Sequence, residues 1–449
     1  MLIKLFRGKG MGSCGIIWIV YFWASITYVN CKMKKSKISL LVVILLLFLL
    51  AHAFGQAKEP NEALPFNFFY KKGKGFGLVT KDSIFSINYQ FRIQNRATFN
   101  TVSDSDLALR SAEFRVRRLR MKFEGFVHNP RLTYYIQLSF SRGDMDFRGN
   151  DNSSINNSPN VVRDAVIYYA LTKKIRLGFG QTKLPGNRQR VISSGDQQFI
   201  DRSIVNATFN IDRDFGFFGQ YSGNVFNVKG ALTSGEGRNS NLSPNNGLAY
   251  TGRLEFLPLG KFTGSNDYQE GDLAREPEPK LSLAITASQN NRAVRQAGQL
   301  GNDLFESRTL STLEFDALFK YKGIAWYSEY MDRDTSDPVT VNPNNPNNLR
   351  TVFSGYGYMS QVSYLFKNNV EIATRYASTK PERQLYENVD FPSLNERKTE
   401  TTELVVTKYL SGHRLKIQSG IMFTKLSTLV APFSTTEFWS GSFQIEIGI

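Results

Sequence analysis

Cysteine is nearly absent: the 449 residues hold two, Cys14 and Cys31. Both precede the export signal described below, so the chain beyond residue 55 has none. That excludes disulfide frameworks, thiolate nucleophiles and cysteine-ligated metals from the exported part. Histidine is as scarce. Beyond residue 55 only His128, in the turn Val127-His128-Asn129-Pro130, and His413, in Ser411-Gly412-His413-Arg414, remain. The chain lacks Gly-x-Ser-x-Gly, His-Glu-x-x-His and a phosphate-cradling glycine loop. No catalytic residue, metal or cofactor is therefore assigned, and an enzyme is not expected.

Acidic residues are the minority sign, 39 against 55 Lys and Arg, for a formal charge of +16. Residues 1–55 hold seven bases, from Lys4 to Lys37, and no acid; without those seven the charge is +9. A basic balance suits nucleic acid, lipid headgroups or an anion path. Export removes nucleic acid from consideration. Long apolar runs are also missing: after residue 55 no stretch approaches the 18 residues that a membrane helix needs.

What is present begins with that signal. Met33-Lys34-Lys35-Ser36-Lys37 is a basic n-region, residues 38–50 an apolar h-region, and Ala51, Ala53 and Gly55 supply small residues for cleavage. Residues 33–55 are read as a signal peptide and 1–32 as an over-extended gene start. Residues 56–82 form an N-terminal lead segment, and 83–449 are one barrel domain.

The barrel reading rests on a period of two. Ile87, Tyr89, Phe91 and Ile93 alternate with Asn88, Gln90, Arg92 and Gln94; Phe443, Ile445 and Ile447 alternate with Gln444 and Glu446. Side chains two apart share one face of a sheet, so each segment has an apolar and a polar face. About sixteen such segments recur by this alternation, many near the nine to eleven residues of a tilted membrane strand. Their cores are 84–95, 113–126, 131–140, 162–170, 174–181, 214–221, 225–233, 248–257, 280–288, 309–321, 324–331, 355–365, 370–377, 399–409, 414–423 and 438–449. Short turns such as Tyr321-Lys322-Gly323 alternate with long polar loops such as 332–354, the asymmetry of an outer-membrane barrel. Tyr168, Tyr169, Trp326, Tyr327, Phe438 and Trp439 are assigned to aromatic girdles or lipid faces. The expected fold is all-β: a transmembrane antiparallel barrel of about sixteen strands with outer-membrane lipid as partner.

Four segments, in chain order, resemble the phosphate-selective porin O/P family. They are Phe114-Arg115-Val116-Arg117-Arg118-Leu119-Arg120-Met121-Lys122-Phe123-Glu124-Gly125, then Gly180-Gln181-Thr182-Lys183-Leu184-Pro185. Phe199-Ile200-Asp201-Arg202-Ser203 follows, together with Asp212-Arg213-Asp214-Phe215-Gly216, and last comes Gly252-Arg253-Leu254-Glu255-Phe256. The resemblance implies a homotrimer of 16-stranded barrels. It also implies a loop folded into each lumen, residues 182–213, and basic residues lining a path for small anions such as phosphate. Lys183, Arg188, Arg190, Arg202 and Arg213 on or beside that loop, with Arg118 and Arg120 on the basic strand, are the candidate pore-lining, anion-binding residues. An arginine fork offers an oxyanion several donors. The loop also carries Asp196, Asp201 and Asp212, which could pair with those cations and merely brace it. Arg115 and Arg117 have opposite parity to lumen-facing Arg118 and Arg120, so a β-bulge or a strand end is expected near Arg117.

The function read from the sequence is an outer-membrane porin, exported by a Gram-negative bacterium, that passes small solutes with anion preference. The alternatives are a general-diffusion porin without that preference, and a structural or enzymatic barrel plugged by its own loops. Cleavage after Gly55, the preferred site, predicts a mature chain beginning at Gln56; cleavage after Ala53, the alternative, predicts Phe54. Intact mass of the outer-membrane form checks this, and a chain retaining residues 40–50 refutes it.

Overall fold

A computed structural model describes residues 65–71, 75–141, 161–240, 247–392, 394 and 396–449. The expected signal peptide and gene start lie outside these residues.

Strands β1 (Phe66–Lys71) and β2 (Gly75–Thr80) form a hairpin within the segment expected as a lead. The barrel opens with β3 (Phe85–Thr101), β4 (Leu109–Val127), β5 (Asn129–Ser139), β6 (Val162–Ala170) and β7 (Ile175–Lys183). Two short helices follow, α1 (Arg188–Val191) and α2 (Ile204–Phe209). Next come β8 (Arg213–Ser222), β9 (Phe226–Thr233), β10 (Ala249–Phe256), β11 (Lys280–Arg295), β12 (Asp303–Tyr321) and β13 (Ile324–Asp334). A separate hairpin, β14 (Val339–Asn342) and β15 (Asn345–Thr351), decorates one loop. The ring is completed by β16 (Gly355–Leu365), β17 (Val370–Pro381), β18 (Arg397–Ser411), β19 (Leu415–Thr428) and β20 (Thr435–Gly448).

Each ring strand pairs antiparallel with its neighbours, and β20 returns to β3 from Ser440↔Asn100 to Gly448↔Arg92. Sixteen strands thus close without a free edge, the condition for satisfying backbone groups in lipid. Every segment found by alternation corresponds to one ring strand. Several strands run further toward the long-loop side than their apolar pattern does, β12 by starting at Asp303 and β17 by ending at Pro381. Those extensions stand above the lipid, where no apolar face is required.

The alternation separates two environments. In β16, Gly355, Gly357, Met359, Gln361, Ser363 and Leu365 are buried while Tyr356, Tyr358, Ser360, Val362 and Tyr364 are exposed outward. Leu254, Ile285, Phe315 and Tyr330 lie side by side in register on the outer face of four adjacent strands. Of the two, the bulge is present: register slips between Gln94 and Asn95 with Arg117 as the extra residue, so Arg115 stands opposite Arg96 and Arg118 opposite Gln94. Three of the six girdle assignments are corrected. Tyr169, Trp326 and Trp439 face outward, but Tyr327 is 3% exposed inside the barrel. Tyr168 and Phe438 share lumen parity with Asp164 and Ser440. An aromatic residue next to another along a strand must take the opposite face.

The hairpin β1–β2 fills a gap left at the seam. β20 ends beside Arg92, and β2 pairs with the remainder of β3, Phe76↔Tyr89 through Val79↔Ser86. Tyr70 and Phe76 thereby prolong the outward aromatic face that Tyr89 and Phe123 begin.

The short-turn side, which also carries the C-terminal end of β20, is the periplasmic side by the usual barrel asymmetry. An Ile285→Arg barrel, its charge placed mid-bilayer, should lose about 2–4 kcal/mol. Urea-driven unfolding from vesicles measures it, and a loss indistinguishable from zero refutes the lipid-facing assignment.

Candidate functional site

The connection between β7 and β8, residues 184–212, folds into the lumen. Its apolar residues pack on inward side chains of the far wall. Phe199 and Ile200 meet Ala373 and Val405. Val205 and Phe209 join Tyr327, Met331, Met359 and Ala377. A buried side chain of this size contributes roughly 1.5–3 kcal/mol. Backbone also comes close to the wall: a Cβ on Gly195 would lie 2.0 Å from an Arg92 guanidinium nitrogen, so a larger residue there would displace that side chain. Ser203 caps α2 by accepting from the Asn206 amide.

Charge fixes the loop from both sides. Against β3 and β4, Asp201 accepts from Arg96 at 2.6 Å and lies 3.3 Å from both Arg117 and Arg118. Burial would raise its pKa, but the three guanidinium groups hold the carboxyl well below the usual carboxylate range. Arg120 donates to the Ser194 hydroxyl at 2.7 Å. Lys416 of β19 donates to the carbonyls of Gly195 and Gln197 at 3.0 and 2.5 Å. Against β11 and β12, Arg188 is fully buried. It donates to Asp316 Oδ1 and the Ser282 hydroxyl, both at 2.7 Å, and to the Asp267 carbonyl at 3.0 Å.

The other candidate cations are also held. Arg190 pairs with Asp212, and Arg213 grips both oxygens of Asp164 at 3.0 and 3.1 Å. Arg202 donates to the backbone carbonyls of Gln189 and Ile192 at 2.8 and 2.9 Å. Arg118 donates to Gln94 Oε1 at 2.7 Å. Lys183 donates to the Val191 carbonyl at 2.5 Å and borders open space. All seven candidates therefore stand on the loop or on the strands flanking it, and bonds that brace the loop also orient them.

The space left beside the loop is a cavity of about 620 Å³. Lys183, Leu184, Pro185 and Val191 border it from the loop, and Glu124, Tyr135, Tyr168, Arg176, Gln220 and Lys229 from the β4–β9 wall. Arg176 lies over the Tyr168 ring at 4.1 Å. The lumen is thus packed on the β12–β18 side and open on the β4–β9 side.

Sequence reasoning missed Asp316, Glu255 and Glu329, the acids that receive the loop from the far wall. Glu329 accepts from Asn187 at 3.2 Å, and Arg253 joins Asp316 to Glu255 at 2.6 and 2.8 Å. Their lumen parity was readable; that Asp316 faces Arg188, 128 residues earlier, and Glu329 faces Asn187, 142 residues earlier, was not. Also missed was the connection Leu257–Pro279, which rises into the lumen from the short-turn side. His413, expected in a turn, sits there buried with Nε2 3.0 Å from the Glu270 carbonyl. Burial beside Lys416 pushes its pKa down to about 3.

A closed 16-stranded barrel with a loop drawn into a charged lumen is the architecture of an outer-membrane porin, a channel. The model of the family described as phosphate-selective porin O and P matches residues 87–385, and the chain belongs to that family. No curated protein sequence matches it. Among solved structures, the chain is similar to the outer membrane channel DcaP of Acinetobacter baumannii, at 11% identity and a TM-score of 0.50. The match covers 83% of this chain and 100% of that one. It is also similar to a loop-deleted OmpT of Vibrio cholerae, at 10% identity and a TM-score of 0.49, covering 82% and 100%. An anion-selective porin from Comamonas acidovorans matches at 11% identity and 0.48, covering 81% and 100%.

Replacing Arg188 by Met leaves Asp316 facing the lumen with one partner fewer. Removing one partner of a buried pair costs about 3–5 kcal/mol. The variant should lose heat resistance on unboiled gels and show noisier single-channel current; a wild-type melting profile refutes the bracing role.

Proposed function

We propose that this outer-membrane porin prefers small anions, with phosphate-like oxyanions as the solute class. The observation that carries the reading is an uneven division of lumen charge. On the inward face of β3–β9, Arg92, Arg96, Arg118, Arg120, Lys122, Arg176 and Lys229 outnumber Glu124, Asp164 and Asp214. On β10–β18 the buried acids Glu255, Glu314, Asp316, Glu329, Glu371 and Glu403 outnumber Arg253, Arg295, Lys320, Arg333 and Arg375 by one, against the basic excess on β3–β9. The open cavity lies against the basic half, so a permeating ion travels along the positive wall while the acids are walled off behind packed loop. Basic groups lining a narrow pore set anion preference.

In this reading Lys183, Arg188, Arg190, Arg202, Arg213, Arg118 and Arg120 set the field, with Lys183 bordering the path itself. Arg188, fully buried with all three nitrogens engaged, contributes its charge alone. The others act through orientation: a guanidinium engaged on one edge by a carboxylate or carbonyl keeps further N–H donors for a passing oxyanion. Engagement also keeps each contact weak enough for release. The assembly is a homotrimer, as the family resemblance implies.

The reversal potential under a salt gradient tests the proposal directly. Wild type should select anions. Lys183→Gln combined with Arg190→Gln should shift the potential toward zero and weaken the block of chloride current by phosphate. Cation preference in wild type refutes anion selectivity and favours a general-diffusion porin.

A further inference from the structure

One connection on the short-turn side does not behave as a turn. Between β12 and β13 or between β18 and β19 the chain reverses within a few residues. Between β10 and β11 it runs from Leu257 to Pro279 and enters the barrel, burying Phe262, Asn266, Glu270, Asp272 and Glu276.

The segment is anchored at four places. Lys320 of β12 donates to the carbonyls of Asn266 and Gln269 at 2.6 and 2.8 Å. Asp272 accepts from the Gly323 amide at 2.7 Å. Gly271, at φ +68°, approaches β17 so closely that a Cβ would lie 2.6 Å from Glu371 Oε1. At its top it meets the constriction loop. The Glu270 amide donates to the Asp196 carbonyl at 2.8 Å, and the Glu270 carboxylate accepts from the Gln198 amide at 3.0 Å. A connection this firmly bonded holds one position.

Its free flank carries Tyr268. The ring stands beneath Arg188, 5.1 Å away, and beside the Lys229 ammonium at 4.2 Å. The hydroxyl receives a 2.5 Å bond from Lys229 and donates to Glu255. Tyr268 therefore spans from the connection to the β9–β10 wall and borders the cavity of about 620 Å³. The same cavity is bordered on its loop side by Lys183 and Pro185.

We infer that residues 257–279 are a second constriction, built from the periplasmic side, and that Tyr268 determines the bore of the anion path there. This rests on the porin reading above. The open space is then a compartment between two constrictions. A hydrated oxyanion leaving the Lys183 region meets the Lys229 ammonium, fixed by Glu255 and Tyr268, as a cation at the exit. The constriction loop alone does not set solute size: an ion admitted past it must also fit beside the Tyr268 ring.

Single-channel conductance of the mature chain in planar bilayers tests this, with heat-modifiability scored first to show that each barrel is folded. Tyr268→Ala should raise conductance about twofold, because the narrowest bore controls flux. The mature chain has no cysteine, so Tyr268→Cys can be labelled alone. An anionic methanethiosulfonate reagent added on the periplasmic side should then cut its conductance and leave wild type untouched. Ser265→Cys, nearly isosteric and exposed on the same segment, carries the labelling test if the Tyr268 variants do not fold. Wild-type conductance in a folded Tyr268→Ala barrel, or labelling without effect, overturns the second constriction. Cation preference with the expected conductance changes overturns only the anion reading, so the two failures are separable.

Discussion

The arrangement depends on opposite charges meeting across the lumen. One loop carries both signs, and each finds its complement on a different wall: Asp201 against Arg96, Arg117 and Arg118, and Arg188 against Asp316. An ion pair screened from water costs desolvation that only good geometry and further hydrogen bonds offset. Arg188 has both, with a carboxylate, a hydroxyl and a carbonyl on its fork. Lashed at two ends, the loop divides the bore, and its apolar residues fill one side.

That division explains the unusual interior. A barrel of sixteen strands encloses more space than inward side chains can fill, and porins of this size leave an aqueous channel. Here two small hydrophobic clusters form inside the barrel, Val205 and Phe209 against inward Met331 and Met359, and Phe199 against Val405. Such residues break the rule that lumen positions are polar, and they mark where the loop rests. The open space lies on the opposite side, where the glycine-spaced strands β7–β9 and the Tyr168–Arg176 stack leave room.

The strands were legible because lipid writes on them directly. Each crossing must show an apolar row at every second residue, and all sixteen did. The bulge at Arg117 was legible for the same reason, as a parity break within a run of arginines. The interior obeyed no comparable rule. Adjacent aromatic pairs such as Tyr168-Tyr169 and Trp326-Tyr327 must split between faces, yet composition alone assigns both to the lipid. Pairings between Arg188 and Asp316, or Glu270 and Gln198, link residues 128 and 72 positions apart. No local pattern encodes them. The inward connection 257–279 did leave a signal, its length: counting turns from the seam places it on the side where connections should be shortest.

Engaged cations also bear on how a selective pore conducts. A free guanidinium in a dry cavity would bind an oxyanion too well to release it, whereas in water it would bind too weakly to discriminate. Arginines already held by carboxylates and carbonyls fall between these limits: each presents part of its fork, fixed in place, with part of its charge neutralised. Discrimination then arises from several partial donors met in succession, not from one tight site. On the proposed anion preference, the basic wall therefore need not be free of acids. It needs only that the acids be screened from the open side, as Asp316 is where it pairs with buried Arg188 behind the loop.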